Sequence, residues 1–250
     1  MKYALLTLFA LLILVGCMDD DDRRVIPQNA ELTIDFRAEY DGQPLRIQSA
    51  TYDYPTGDEL KVGLFQYYVS DLELLRPDAD PLPLSEIELI RYQQADGVEV
   101  DPRRFTVPTG DYNGVRFGLG VKPSLNAQDP SNFAADFVLN DAEFWNANAR
   151  YVFAKIEANA RIGSSDMFDT GLSYHMGSDA VYRTVTLPLN FTVEQDEKIT
   201  VAADVLRALA SDTEVFDIAD PDQQRVHGGN QAVALGIWNR LAGQFRISDR

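Results

Sequence analysis

The stretch Leu32-Thr33-Ile34-Asp35-Phe36-Arg37-Ala38-Glu39-Tyr40 alternates apolar and polar residues without a break. Successive side chains on a β-strand point to opposite faces, so this segment offers one apolar face to a core and one polar face to water. It runs into Asp41-Gly42, a pair that accepts the left-handed backbone of a tight turn. The same alternation returns at Val115, Phe117, Leu119 and Val121, at Val152, Ala154, Ile156 and Ala158, and at Val185, Leu187, Leu189, Phe191 and Val193. Residues 62–75, rich in Tyr, Phe and Val, predict one or two further strands. Strands with one buried face are typical of antiparallel sheets. Turn signals at Pro55-Thr56-Gly57, Asp96-Gly97, Pro108-Thr109-Gly110 and Gly228-Gly229 separate them. The expected fold is mainly β, an antiparallel β-sandwich.

Some segments depart from that period. Pro188 cannot donate a ladder hydrogen bond, so its strand is expected at an edge or with a bulge. Residues 202–210 predict a short helix ending a strand. In residues 230–245, Ala234, Trp238, Leu241 and Phe245 recur at helical spacing, with Asn230 as N-cap, which predicts a C-terminal helix. Residues 77–104 hold Pro77, Pro81, Pro83 and Pro102 and are expected to be long loops. With no internal repeat and no linker, residues 30–250 read as a single β domain.

The N-terminus reads as an address rather than as fold. Lys2 precedes an apolar run from Tyr3 to Val15, too short for the roughly 20 residues of a membrane span and suited to a signal peptide. The run ends in Leu14-Val15-Gly16-Cys17, which resembles the lipobox of bacterial lipoproteins and implies that residues 1–17 are a signal with Cys17 as the lipidated residue. Residues 18–29 begin Met18-Asp19-Asp20-Asp21-Asp22-Arg23-Arg24 and read as a flexible acidic tether. Because Met18, and not aspartate, follows the cysteine, the expected location is the outer membrane, with the domain periplasmic or surface-facing.

Composition narrows the function. The formal net charge is −17, which argues against nucleic acid and against docking on anionic lipid; the membrane is reached through the lipid alone. Cys17 is the single cysteine, so the domain has no disulfide and no thiol nucleophile. There is no phosphate-binding glycine loop, no Gly-x-Ser-x-Gly elbow and no HExxH, and among 39 acidic residues no pair stands out as a catalytic dyad. Binding is expected, not enzymatic turnover. Asp217, Asp220 and Asp222 could ligate calcium but lack the glycine and closing glutamate of an EF-hand, so a solvated loop is the plainer reading.

The chain has two histidines, His175 in Tyr174-His175-Met176-Gly177 and His227 in Val226-His227-Gly228-Gly229. Each can be an ordinary packing residue. If they share a metal, two imidazoles without thiolates suit copper or zinc, and the thioether of Met176 tilts the choice toward Cu(I). Met176 can equally be core, because neighbours on a strand face opposite ways. Trp145 stands in Phe144-Trp145-Asn146-Ala147-Asn148-Ala149-Arg150-Tyr151, and Trp238 on the expected helix reads as core.

Taken in order, these segments resemble the MbnP family of periplasmic and lipoprotein copper-binding proteins, named for its methanobactin-associated member. The tyrosine-rich Phe65-Gln66-Tyr67-Tyr68-Val69-Ser70-Asp71-Leu72-Glu73-Leu74 is similar to a family element. So is Val107-Pro108-Thr109-Gly110-Asp111-Tyr112 with Val115-Arg116-Phe117-Gly118-Leu119-Gly120-Val121. Asn126 with Asp129-Pro130, Phe144-Trp145, Tyr174-His175-Met176-Gly177, Ala203-Asp204-Val205 and His227 complete the series. The resemblance implies a β-sandwich that binds copper through two histidines, here His175 and His227, and through a kynurenine made from a tryptophan by a di-haem oxidase of the MauG/MbnH type. Trp145 occupies the first tryptophan of the family's Phe-Trp-x-Trp element; the second is Ala147 here, so a kynurenine at that second place is impossible in this chain. The leading expectation is an envelope-anchored protein for copper uptake or handling. The alternative is a metal-free surface module that contacts a protein or glycan.

Overall fold

A computed structural model describes residues 28–93, 100–226 and 231–249. Its strands are β1 (Asn29–Tyr40), β2 (Gln43–Pro44), β3 (Tyr52–Asp53), β4 (Glu59–Arg76), β5 (Ala79–Tyr92), β6 (Val100–Pro108), β7 (Gly110–Leu119), β8 (Phe144–Asn146), β9 (Arg150–Tyr151), β10 (Ala154–Arg161), β11 (Thr170–Met176), β12 (Arg183–Val193), β13 (Glu197–Asp204), β14 (Arg225–Val226) and β15 (Arg246–Asp249). Among the described residues three α-helices accompany them: α1 (Pro123–Asn126), α2 (Val205–Leu209) and α3 (Gln231–Gln244). The strands form a β-sandwich. One sheet runs β15-β13-β1-β2 with β6 also on β1; the other runs β12-β7-β4-β10-β11-β14 with β3 and β5 on β4. A small hairpin, β8-β9, stands apart.

The alternation that opens the chain is realised in β1, where Leu32, Ile34, Phe36 and Ala38 are completely buried. Burying a side chain of this size contributes roughly 1.5–3 kcal/mol. Asp41 and Gly42 both take positive φ, 49° and 73°, and close the two-residue turn that pairs Tyr40 with Gln43. Phe245, just past α3, meets both Tyr67 and Phe117 edge-on, and Phe117 in turn meets Phe36 of the facing sheet. These aromatic contacts join helix and sheets in one core.

Residues 62–75 form one strand, β4, whose first half pairs with β10 and whose second half pairs with β7. Pro188 sits on β12, at the end of its sheet and beside a bulge between Pro188 and Phe191. Asp204 ends β13 and caps α2 by accepting from the Arg207 N–H, the short helix expected there.

Two readings need correction. The proline-bearing region is not long loops: β5 lies wholly within residues 77–104, and β6 begins there and runs on to Pro108. Pro83 falls where the β4–β5 register shifts, and Pro102 lies on β6, whose strand partner is β1. Such positions spare the missing N–H. The sandwich is also not antiparallel throughout, since β1 pairs with β13, and β11 with β14, in parallel. The strand periods alone cannot distinguish the two directions. The signal and most of the tether, Asp96-Gly97, His227, Gly228-Gly229 and the Asn230 cap lie outside the described residues.

Candidate metal centre

β11 carries Ser173 and His175 on its outer face and Tyr174 and Met176 on its inner face, as strand alternation requires. His175 is 15% exposed, and its Nε2 lies 2.7 Å from Glu157 Oε1 and 3.2 Å from Ser173 Oγ. Met176 is buried, and its carbonyl accepts from the Phe153 N–H at 2.7 Å. Beyond it the chain passes so close to residues 151–153 that only glycine fits: a Cβ at Gly177 would stand 2.6 Å from the Tyr151 carbonyl oxygen and 2.8 Å from the Phe153 nitrogen. This is the physical content of the glycine after His-Met.

Trp145 reaches the same place from the β8-β9 hairpin. Phe144 pairs with Tyr151 and Asn146 with Arg150, so Trp145 is the extra residue of a bulge, a device that re-aims a side chain. The turn is held by Asn146 Oδ1, which accepts from the N–H groups of Asn148 and Ala149, each at 2.9 Å. Ala147, the departure from the family element, lies in that turn. Beneath the hairpin, Glu143 is only 8% exposed; it pairs with Arg91, and the Lys155 ammonium lies 2.5 Å from its second oxygen. Asn126, buried at the end of α1, donates to Asp179 and accepts from the Tyr151 N–H of β9, tying three segments together. The Arg150 guanidinium donates to the carbonyls of Asn126 and Gln128.

Held this way, Trp145 stays 45% exposed and its indole meets the His175 ring edge-on, with centroids 6.3 Å apart. Both line a cavity of about 290 Å³ whose wall also includes Tyr151, Met176, Val226 and Trp238. Trp238 is fully buried, as expected for core, and its indole N–H donates to the Val181 carbonyl at 2.6 Å. The structure therefore brings Trp145, His175 and Met176 to one cavity. His227 is outside the described residues, and it directly follows Val226, which lines the cavity and pairs with Tyr174. Among the described residues no three His, Cys, Asp or Glu side chains gather at one point.

Asp217 and Asp220 turn their carboxylates to their own loop, accepting from the Ala219 and Asp222 N–H groups, as a solvated turn does. Sequence reasoning passed over Glu157 and Glu143. Glu157 stands at an outward position of an alternating strand, where a solvated carboxylate is the rule, and only the β10–β11 register brings it to His175.

The chain matches the family model for MbnP over residues 29–227. Among solved structures it is similar to MbnP from Methylosinus trichosporium, with 15% sequence identity and a TM-score of 0.55, covering 73% of this chain and 78% of that one. At that identity the likeness speaks for the fold. A search of curated proteins finds no match.

Proposed function

Because the chain belongs to the MbnP family, whose membership points to a copper-related role, we propose that it binds copper as cargo at the cavity where His175, Trp145 and Met176 meet. The observation that carries this reading is the convergence itself: an imidazole, a thioether and an exposed indole from β11 and the β8-β9 hairpin share one apolar wall. His175 and His227 would hold the ion. They are the residues that follow Tyr174 and Val226, which are register partners on two parallel strands. Cu(I) accepts two or three soft or borderline ligands, so two imidazoles suffice, with Met176 lining the same cavity, whereas hard cations ask for many oxygens.

Trp145 is the tryptophan we assign to oxidation to kynurenine by a di-haem partner. Its indole is half exposed and beside His175, while Trp238 is sealed in the core. A kynurenine there adds an amine and a carbonyl at the cavity mouth. The lipid on Cys17 would fix this site at the cell envelope, in the outer membrane, where the protein binds and hands on copper without turning it over.

The test is a Cu(I) titration against a competing chelator, with intact mass on the same sample. Wild type should take up one copper, and the variants His175→Ala and His227→Ala should lose it. A kynurenine shows as a gain of a few daltons confined to the peptide holding Trp145. Unchanged copper content in both histidine variants would refute the site.

A further inference from the structure

His175 faces two ways. The residue lines both the apolar cavity and an open polar groove across β10 and β11. On the groove side stands Glu157, which is directly opposite Ser173 in the β10–β11 register and diagonal to His175. Where β10 also pairs with β4, the register shifts between Glu157 and Ala158: Glu157 pairs with Leu64 and Ala158 with Val62, so Gly63 is the extra residue of a bulge. Bulges add local twist and redirect neighbouring side chains, and they concentrate beside functional sites. The result is a short contact, 2.7 Å, between Glu157 Oε1 and Nε2 of the imidazole, with Ser173 Oγ at 3.2 Å from the same nitrogen.

We propose that Glu157 is the positioning residue of His175: it accepts a hydrogen bond from Nε2–H, fixes the imidazole in that tautomer, and presents Nδ1 as the nitrogen that ligates metal. An ionised carboxylate can only accept, so the proton of the contact belongs to Nε2, and a neutral ring then carries its lone pair on Nδ1. Coordination that keeps the contact with Glu157 falls to Nδ1. Carboxylates in this relation orient metal-bound histidines and raise their basicity, and their loss typically lowers metal affinity about 10–100-fold. Glu157 is 42% exposed, so it is replaceable without opening the core. The assignment of the ligating nitrogen rests on the copper reading above; the tautomer does not.

The experiment reads the two separately. Nitrogen NMR of ¹⁵N-histidine in the metal-free protein, at a pH where the ring is neutral, should show His175 protonated at Nε2. Glu157→Ala should produce a mixture of tautomers, and Glu157→Gln, which keeps an acceptor oxygen, should restore much of the wild-type signal. Cu(I) affinity should fall about 10–100-fold in Glu157→Ala and less in Glu157→Gln, with the amide spectrum showing both variants folded. A wild-type ring protonated at Nδ1, or a tautomer unmoved by Glu157→Ala, overturns the proposal. A fixed Nε2–H tautomer in a protein that takes up no copper supports Glu157 as positioning residue and refutes only the copper reading.

Discussion

Trp145 and His175 meet edge to face, their ring centroids 6.3 Å apart at an interplanar angle of 75°. This makes the indole a reporter for any metal on the imidazole. In protein whose Trp145 is unoxidised, as intact mass can verify, adding Cu(II) should quench its emission, and Trp145→Phe should remove most of the quenching and leave only the buried Trp238. The substitution should change the unfolding free energy by less than about 1 kcal/mol, because the side chain is half exposed. Equal quenching in wild type and variant would show that Trp145 is not the indole nearest the metal.

Met176 separates packing from ligation. Met176→Leu conserves volume at a buried position, so stability should fall by less than about 1.5 kcal/mol in urea titration. Cu(I) affinity should drop if the sulfur is a ligand and hold if it is only wall; a drop in affinity with only this small loss of stability is the expected result.

Glu143 holds the hairpin down through Arg91 and Lys155. Glu143→Ala leaves two partly exposed cations without this partner and should destabilise by about 1–2 kcal/mol. Trp145 emission should report the looser hairpin. If denaturant unfolding shows no loss, the pair is a surface contact in disguise.

Gly177→Ala forces a methyl against the backbone of Tyr151 and Phe153. The expected destabilisation is about 1–3 kcal/mol by thermal or urea unfolding, with copper affinity lowered as the strand end shifts. Gly243, where a Cβ meets nothing within 4 Å, is the control for substituting glycine itself.

Alkali should unfold the protein. Burial pushes the phenols of Tyr67, Tyr68, Tyr92 and Tyr174 well above their ordinary value of 10.0, and that of Tyr151 up to about 12. A raised phenol holds its proton longer in the folded chain than in the unfolded one. The stabilisation is therefore complete below about pH 10 and is lost as pH rises through the folded values. Phenolate absorbance should appear together with loss of near-UV dichroism; tyrosines ionising in a chain that stays folded would contradict the burial.

What could be read in the chain was whatever a short window holds. The period of two found β1, β7, β10 and β12, and the spacing of Trp238, Leu241 and Phe245 found α3. Pro83 and Pro102 misled because a proline's effect depends on which strand stands beside it, and residues far away decide that. The parallel partnership of Leu32 with Glu197 is invisible for the same reason. At the site, residue type singled out His175, Met176 and Trp145, and the structure gathers them in one cavity. Glu157 and Glu143 had no signal of their own among 39 acidic residues.

The pairing of β1 with β13 also governs when this molecule can come into being. The first strand lies between β6 and β13, and its register with β13 starts at Leu32 and Glu197. A chain emerging from its N-terminus cannot finish that sheet until residues 197–204 have appeared, and contacts so distant in sequence make for slow closure. Completion of that sheet is thus deferred until residues 197–204 exist. Any fragment ending before residue 197 should keep an open strand edge and aggregate.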